Sequence, residues 1–193
     1  MFNKKLLILS IFFTNSCILG TDGEGNFTDN YPRDDQKYSF HKNTPTLTGG
    51  GGKKIKRYQN YFFAGSLDNS MLLYAKAAGV KLVIDLKQAS KQTQTDQVEC
   101  QALGITYLGH SVPMHYTLND DTVAKFTAIL PKEQNNNSVL IQHTTPDLPA
   151  ALFAAYLASK SNLNLESTLA IARAIGLRSV SIEKQLIKYL TKT

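Results

Sequence analysis

One stretch of the chain decides the fold: Ser138-Val139-Leu140-Ile141-Gln142, then His143-Thr144-Thr145-Pro146-Asp147-Leu148-Pro149-Ala150. The first five residues predict a buried strand, because a short apolar run bounded by a turn is typical of a parallel sheet. Residues 143–149 predict the turn, and a long apolar helix follows from about residue 150 to residue 158. A strand, a turn and a helix in this order make up the first part of a βαβ unit.

The same alternation of strands and helices recurs on both sides of that stretch. Asp68-Asn69-Ser70 offers capping oxygens to a helix that ends at Gly79, and Thr117-Leu118-Asn119-Asp120 resembles a capping box that opens another. We therefore expect an α/β fold with a short, mostly parallel central sheet flanked by helices. The predicted strands are residues 61–64, 81–86, 105–108 and 138–142, and the predicted helices lie near residues 68–78, 95–103, 117–130, 150–158, 165–175 and 181–190.

In sheets of this kind, ligands bind beyond the carboxyl ends of the strands. The loops after Ile84, Leu108 and Ile141 are therefore the places where we expect functional residues.

The composition excludes several classes of protein. A chain of 193 residues has room for one ordinary domain, and 42% hydrophobic with 19% charged residues describes neither a disordered chain nor a polytopic membrane protein. Its two cysteines cannot form a disulfide framework or a structural zinc site. We predict no cofactor.

The first 17 residues have the pattern of a bacterial export signal. Lys4 and Lys5 precede a short apolar run, and small residues follow it up to Cys17. The run is too short to cross a bilayer, whose hydrocarbon core is about 30 Å thick. Cys17 stands where a lipoprotein signal places its acylated cysteine, although Thr14 replaces the usual leucine. We predict an exported protein that is periplasmic or anchored to the membrane by lipid.

Residues 18–57 are polar and rich in glycine, and they predict a flexible tether between the signal and a domain of residues 58–193. The tether ends in the basic cluster Lys53-Lys54-Ile55-Lys56-Arg57. No aromatic residues interleave with these cations, so we predict no nucleic-acid partner and interpret the cluster as a solvated stretch.

The order of the elements resembles the bacterial dual-specificity-like branch of the cysteine phosphatases. The resemblance covers about residues 58–190 and rests on many short segments in the right order. These segments are Phe63-Ala64-Gly65-Ser66, Ala78-Gly79-Val80-Lys81-Leu82-Val83-Ile84-Asp85-Leu86, Leu103-Gly104-Ile105-Thr106-Tyr107, Val139-Leu140-Ile141-Gln142-His143, Leu165-Glu166-Ser167-Thr168-Leu169-Ala170 and Ala174-Ile175-Gly176-Leu177. The resemblance implies a phosphatase fold with its active-site loop after the strand that ends near His143.

The chemistry of that loop departs from the family pattern. The resemblance implies a nucleophilic Cys directly after His143, and an Arg five or six residues later that binds the phosphate with the loop amides. Thr144 occupies the Cys position, and Pro149 or Ala150 occupies the Arg position. Prolines also remove amide donors, and Asp147 adds negative charge where we expect the phosphate dianion.

Other residues are weaker candidates for chemistry. Cys100 lies within a predicted helix and is expected to be a buried, inert thiol. His143 is adjacent to Thr144 on a strand and is poorly placed to act as its base, because neighbouring side chains point to opposite faces. Asp85, His110, His115 and His143 all lie near the carboxyl ends of strands, but their spacing matches no compact metal motif, so we predict no metal site.

The sequence therefore predicts an exported, lipid-tethered phosphatase-like domain that lacks the Cys/Arg pair and acts as a non-catalytic binding module, a pseudophosphatase. Its partner is an unidentified protein or a ligand held at the altered loop, with Thr144, Thr145 and Asp147 as candidate contacts. The alternative is a phosphatase or a metal-dependent hydrolase that acts on phosphorylated substrates with an unusual site at the same loop.

Overall fold

The computed structural model describes residues 47–48, 54–113, 116–131 and 138–192, which form one mixed sheet flanked by helices. The strands are β1 (Leu47–Thr48), β2 (Lys54–Tyr58), β3 (Tyr61–Ala64), β4 (Val80–Asp85), β5 (Thr106–Gly109) and β6 (Ser138–Gln142). The helices are α1 (Asn69–Ala77), α2 (Lys91–Ala102), α3 (Asp120–Ile129), α4 (Asp147–Ser161), α5 (Leu165–Ile175) and α6 (Val180–Leu190).

The strand order in the sheet is β1-β2-β3-β6-β4-β5. The three pairs β3–β6, β6–β4 and β4–β5 are parallel, whereas β1–β2 and β2–β3 are antiparallel. The parallel strands β3, β4, β5 and β6 end at one edge of the sheet, which we call the carboxyl edge. The predicted α/β fold with a mostly parallel central sheet is confirmed.

The central strands are buried on both faces because helices cover both sides of the sheet. Phe62 and Leu140 lie opposite each other on β3 and β6, and both belong to the core cluster that α1 and α2 cover. On the other face, the ring of Phe153 in α4 lies 4.9 Å from that of Phe63 and 4.6 Å from that of Tyr61. The apolar run of β6 thus reflects packing on two sides, as expected for a central parallel strand.

The predicted helix ends are mostly confirmed. The Asp68 side chain accepts a hydrogen bond from the Met71 amide at 3.0 Å, and Gly79 takes the left-handed conformation after α1 with φ of +82°. The predicted N-cap of α3 is wrong by two residues. The N-cap of α3 is Asn119, which exchanges hydrogen bonds with Thr122, rather than Thr117.

Other boundaries differ from prediction for local reasons. Helix α2 begins at Lys91 rather than near residue 95, because Ser90 and Thr93 form a capping box there. Helix α4 begins at Asp147 rather than near residue 150, because Pro149 is tolerated in a first helical turn. Leu73 on α1 is 52% exposed, although its neighbours Met71 and Leu72 are fully buried.

Two strands, β1 and β2, lie within the range that we assigned to the tether. Ile55 is 1% exposed and Tyr58 is 5% exposed, whereas Lys54 and Arg57 lie on the surface. The charges of the basic cluster obscured a strand pattern in which Lys54 and Arg57 are exposed while Ile55 and Tyr58 enter the core. Residues 54–57 are therefore part of the sheet.

Residues 1–17, with the predicted acylation site Cys17, lie outside the described residues, as does His115. Among the helices that the structure describes, none is long and apolar enough to cross a membrane.

Candidate functional site

The candidate loop joins the end of β6 to the start of α4 at the carboxyl edge. Thr144 and Thr145 are exposed there. Pro149 is buried and Ala150 is fully buried, because the first turn of α4 packs into the core directly after the loop. Both positions that the resemblance offers for the phosphate-binding Arg thus lie inside the protein and carry short apolar side chains.

Two glycines hold this loop between its neighbours. A Cβ atom on Gly65 would lie 3.2 Å from the carbonyl oxygen of Thr144, so the turn after β3 passes close to the loop backbone. A Cβ atom on Gly176 would lie 2.8 Å from the Cβ of Pro146, and Gly176 has φ of +132°. Only glycine suits this position between α5 and α6, which fixes the loop from the other side.

Asp147 has a role that we did not predict. Its Oδ1 accepts hydrogen bonds from the backbone amides of Arg178 and Ser179, each at 2.6 Å. These amides lie at the N-terminal end of α6, where a carboxylate is stabilised by the helix dipole. We predicted only that Asp147 adds negative charge to the loop, whereas its carboxylate also connects α4 to α6.

His143 is half-buried, and its Nδ1 has no hydrogen-bond partner among the described residues. Burial lowers the pKa of His143; Asp85 opposes this shift, and Lys87 adds to it. The imidazole is accordingly neutral near pH 7. No hydrogen bond joins it to Thr144 within the described part of the chain, so the structure gives the Thr144 hydroxyl no base.

Tyr116, on the segment before α3, also lies near the loop. Burial raises the pKa of Tyr116, and the charge of Asp147 raises it further. Its hydroxyl is buried without a hydrogen-bond partner among the described residues. The Tyr116 phenol is therefore neutral near pH 7.

Beside the loop, the ends of β4 and β6 hold a buried polar network that sequence reasoning missed, apart from Asp85. The Lys87 ammonium lies 2.5 Å from Asp96 Oδ2 and 3.5 Å from Asp85 Oδ2. Asp85 is fully buried and Asp96 is 2% exposed. Asp85 also turns the chain after β4, because its Oδ1 accepts the Lys87 amide at 2.9 Å.

Neutral donors complete this network. Gln142 Nε2 donates to Asp85 Oδ2 at 2.8 Å and to Asp96 Oδ2 at 3.4 Å. The Tyr107 hydroxyl donates to Asp85 Oδ2 at 2.6 Å, and burial followed by this hydrogen bond raises the pKa of Tyr107. The position of Gln142 could have indicated this network, since a polar amide at the end of an apolar strand needs buried hydrogen-bond partners. Asp96 gave none, because it lies in a helix that is polar along most of its length.

The metal candidates do not converge in the part of the chain that the structure describes. No group of three His, Cys, Asp or Glu side chains there is arranged to hold a metal ion. Asp85 is engaged by Lys87, Tyr107 and Gln142, whereas His110 is connected to it only through a backbone hydrogen bond to the Asp85 carbonyl at 2.8 Å.

Cys100 is a buried thiol within α2, as predicted. Burial first, and then the charges of Asp96, Asp85 and Glu99, raise the pKa of Cys100 to about 11. The thiol is therefore protonated near neutral pH and is a poor nucleophile.

Comparison with solved structures identifies the architecture. TpbA from P. aeruginosa in complex with pTyr superposes with a TM-score of 0.62 at 10% identity, over 80% of this chain and 93% of that one. A putative phosphatase from Shewanella putrefaciens gives 0.55 at 17% identity, over 72% and 87% of the two chains. A putative phosphatase from Neisseria meningitidis gives 0.55 at 14% identity, over 65% and 90%. No protein-family model and no curated protein matches the sequence. The phosphatase-like fold that the resemblance implied is confirmed.

Proposed function

We propose that this chain is an exported, membrane-tethered phosphatase-like domain that binds a protein partner or ligand without hydrolysing phosphate esters. One observation carries the proposal. The loop has a threonine in place of the nucleophilic cysteine, and both positions offered for the arginine are buried and apolar. A threonine hydroxyl without a neighbouring base is a weak nucleophile.

The arginines nearest to the loop are occupied elsewhere, which supports the same proposal. Arg178 Nη1 donates to the carbonyl oxygens of Arg173 and Leu177, at 2.6 and 2.9 Å, and so caps the end of α5. Arg173 pairs with Glu183 through two hydrogen bonds of 2.6 and 3.0 Å. Both guanidinium groups are thus engaged in contacts around the connection between α5 and α6.

The exposed part of the loop offers a ligand hydroxyl groups and no cation. Thr144 and Thr145 present two exposed hydroxyls, and the Asp147 carboxylate already accepts two amides. Pro146 offers no amide donor. Such a surface suits hydrogen bonds to a neutral group of a partner better than it suits a phosphate dianion.

Hydrolysis of p-nitrophenyl phosphate by the purified chain, with and without Zn²⁺ or Mn²⁺, tests the proposal. We expect no turnover above that of a Thr144→Ala variant in any condition. Turnover that Thr144→Ala abolishes would contradict the proposal and favour an unusual hydrolase. Turnover that appears only in a Thr144→Cys variant with Arg at position 149 or 150 would show an intact scaffold around a lost site.

Binding and export need separate tests. A photo-crosslinking amino acid at Thr145, with the same substitution at exposed Val98 as control, should capture a partner only from the loop position. Labelling of cells with palmitate should mark the wild-type chain and not a Cys17→Ser variant. Equal labelling of both chains would contradict the lipid anchor and leave the binding proposal standing.

A further inference from the structure

Strand β5 forms one edge of the sheet and is paired on one side. Its partner is β4, with Gly109 opposite Asp85 and the other residues in parallel register. The pairing continues past the strand, because the His110 amide donates to the Asp85 carbonyl oxygen at 2.8 Å. No described strand pairs with the other side of β5. Within the described part of the chain, this side is therefore an open edge.

The open side of β5 presents the backbone groups of Tyr107 and Gly109. In an extended strand, the N–H and C=O groups of one residue point to the same side, and those of the next residue point to the other. The bond from His110 to Asp85 directs the backbone groups of His110 and Leu108 towards β4. Tyr107 and Gly109 thus direct two N–H donors and two C=O acceptors outwards, and these groups bond to no other described residue.

This edge lacks the features that usually keep a second chain from pairing with an edge strand. Such features include charged side chains, proline, a bulge and a very short strand. Strand β5 has four residues, carries no charged side chain and no proline, and pairs with β4 in unbroken register. By contrast, β1 at the opposite edge has only two residues. We therefore expect added strands at β5 rather than at β1.

The sequence around β5 carries no formal charge. From residue 100 to residue 119 the chain contains no Lys, Arg, Asp or Glu, although the whole chain has 21 basic and 15 acidic residues. An ionic peptide would therefore find no ion-pair partner in this segment. Two copies of this basic chain, however, can bring the segment together without placing like charges opposite each other.

The edge also complements itself in the register centred on Leu108. When two β5 strands pair antiparallel about a two-fold axis there, Tyr107 of each copy lies opposite Gly109 of the other, and four backbone hydrogen bonds form. Leu108 then lies opposite Leu108 of the second copy in a non-hydrogen-bonded pair, with Cα atoms about 4.5 Å apart. Leu108 is 37% exposed, so this pairing covers an apolar side chain that the single chain leaves in contact with water.

We propose that this chain forms a two-fold symmetric dimer in which the β5 edges of two copies pair antiparallel about Leu108. The two sheets join into one, and the two leucines pack together at the axis. A second copy is favoured over a segment of another protein because the edge is neutral and has an exposed apolar side chain at its centre. The proposal goes beyond the binding function of the loop.

Sedimentation velocity of the full chain carrying Cys17→Ser tests the dimer without an acyl group. We expect the mass to rise from monomer to dimer as the concentration is raised through the micromolar range. Leu108→Lys places two ammonium groups opposite each other and should raise the dimer Kd at least about tenfold. Leu108→Glu should do the same, and an equimolar mixture of these two variants should recover the dimer.

Leu165→Lys is the matched control for the charge. Leu165 is 38% exposed, nearly the same as Leu108, but it lies on α5, which packs beside β2 towards the other end of the sheet. We expect the dimer Kd of this variant to be unchanged. Thermal unfolding of each variant checks that it is folded.

Cysteine crosslinking tests the register. In the Cys17→Ser background, Leu108→Cys brings two thiols within the range in which a disulfide forms, so mild oxidation should link two copies. Thr106→Cys is the control, because Thr106 is exposed on the same strand but its two copies would lie about 14 Å apart. Cys100 is buried and should not interfere.

Three results would overturn the proposal: a monomer at every concentration, equal dimerisation of Leu108→Lys and Leu165→Lys, or equal crosslinking of Leu108→Cys and Thr106→Cys. A monomer would leave the β5 edge to a strand other than β5 of a second copy. Each of these failures would leave the proposed function of the loop intact, because no loop residue is changed in these experiments.

Discussion

Two neighbouring regions of the carboxyl edge differ in how they use polar groups. In the network after β4, the side chains of Lys87, Tyr107 and Gln142 converge on Asp85 and Asp96, and the charges lie inside the protein. In the loop after β6, the hydroxyls of Thr144 and Thr145 face the solvent and form no hydrogen bond with another described residue. The first region holds the sheet and helix α2 together, whereas the second leaves its polar atoms available.

This contrast separates stability from binding. A buried ion pair that loses one member leaves an uncompensated charge, so the network tolerates little change. An exposed hydroxyl without a partner contributes almost nothing to folding, so its substitution is nearly neutral. Substitutions in the network and in the loop should therefore lower the free energy of unfolding by amounts that differ by several kcal/mol, although both regions lie at one edge of the sheet.

The largest effect is expected for Lys87→Met, which keeps the length of the side chain and removes its charge. The ammonium lies 2.5 Å from Asp96 Oδ2, and its loss leaves two buried carboxylates without a cation. We expect the free energy of unfolding to fall by about 3–5 kcal/mol in urea titrations. Lys125→Met removes an exposed ion pair with Asp121 and should cost under about 1 kcal/mol. Equal losses of unfolding free energy in the two variants would show that the buried network contributes no more to stability than an exposed ion pair.

Asp147→Ala should have the next largest effect. The carboxylate accepts two amides at 2.6 Å, and hydrogen bonds to a charged group contribute about 1.5–3 kcal/mol. We expect a loss of about 2–3 kcal/mol and faster hydrogen exchange at the amides of Arg178 and Ser179. Asp147→Asn keeps an acceptor and should lose less. Unchanged exchange at both amides would contradict the connection between α4 and α6.

Much of the fold could be predicted from the sequence. The strands Tyr61–Ala64 and Ser138–Gln142 and the helix Leu165–Ile175 have the predicted bounds, because their apolar patterns and flanking residues agree with their environment. The strand Lys54–Tyr58 was missed. This strand directly follows a glycine run. We assigned it to the tether because the polar composition of the segment was a stronger signal than an alternation of charged and apolar residues over only five positions.

The site was harder to predict because it depends on contacts between distant parts of the chain. The sequence showed what occupies the Cys and Arg positions. It gave no sign that Asp147 bonds to residues 178 and 179, or that Lys87 pairs with Asp96 from the next helix. Tertiary packing determines these hydrogen-bond partners. The residues next to Asp147 or Asp96 in the sequence carry no information about it.

Between the two regions lies His143, whose effect should appear as a pH dependence. Burial holds its pKa below the ordinary value of 6.5, so as the pH falls the unfolded chain takes up the proton first. The contribution of His143 to stability is present above that value and is lost as the pH falls towards the folded-state pKa. Urea midpoints measured at about pH 7.5 and about pH 5 should therefore differ less in His143→Gln than in the wild type. An equal or larger difference in the variant would show that the imidazole is as exposed as in the unfolded chain.

The smallest effect is expected where the proposed binding surface lies. Thr144→Ala with Thr145→Ala should change the free energy of unfolding by no more than about 0.5 kcal/mol, because neither exposed hydroxyl has a partner to lose. Gly176→Ala is the control, because Gly176 packs against Pro146 of the same loop and should matter for stability. Its new Cβ would lie 2.8 Å from Pro146, at φ of +132°, and should cost about 1–3 kcal/mol in the same titration. If the double threonine variant is as unstable as Gly176→Ala, the hydroxyls serve the fold and the binding surface must lie elsewhere. If Thr144→Ala alone is stable but no longer forms the crosslink from position 145, the Thr144 hydroxyl acts in binding alone.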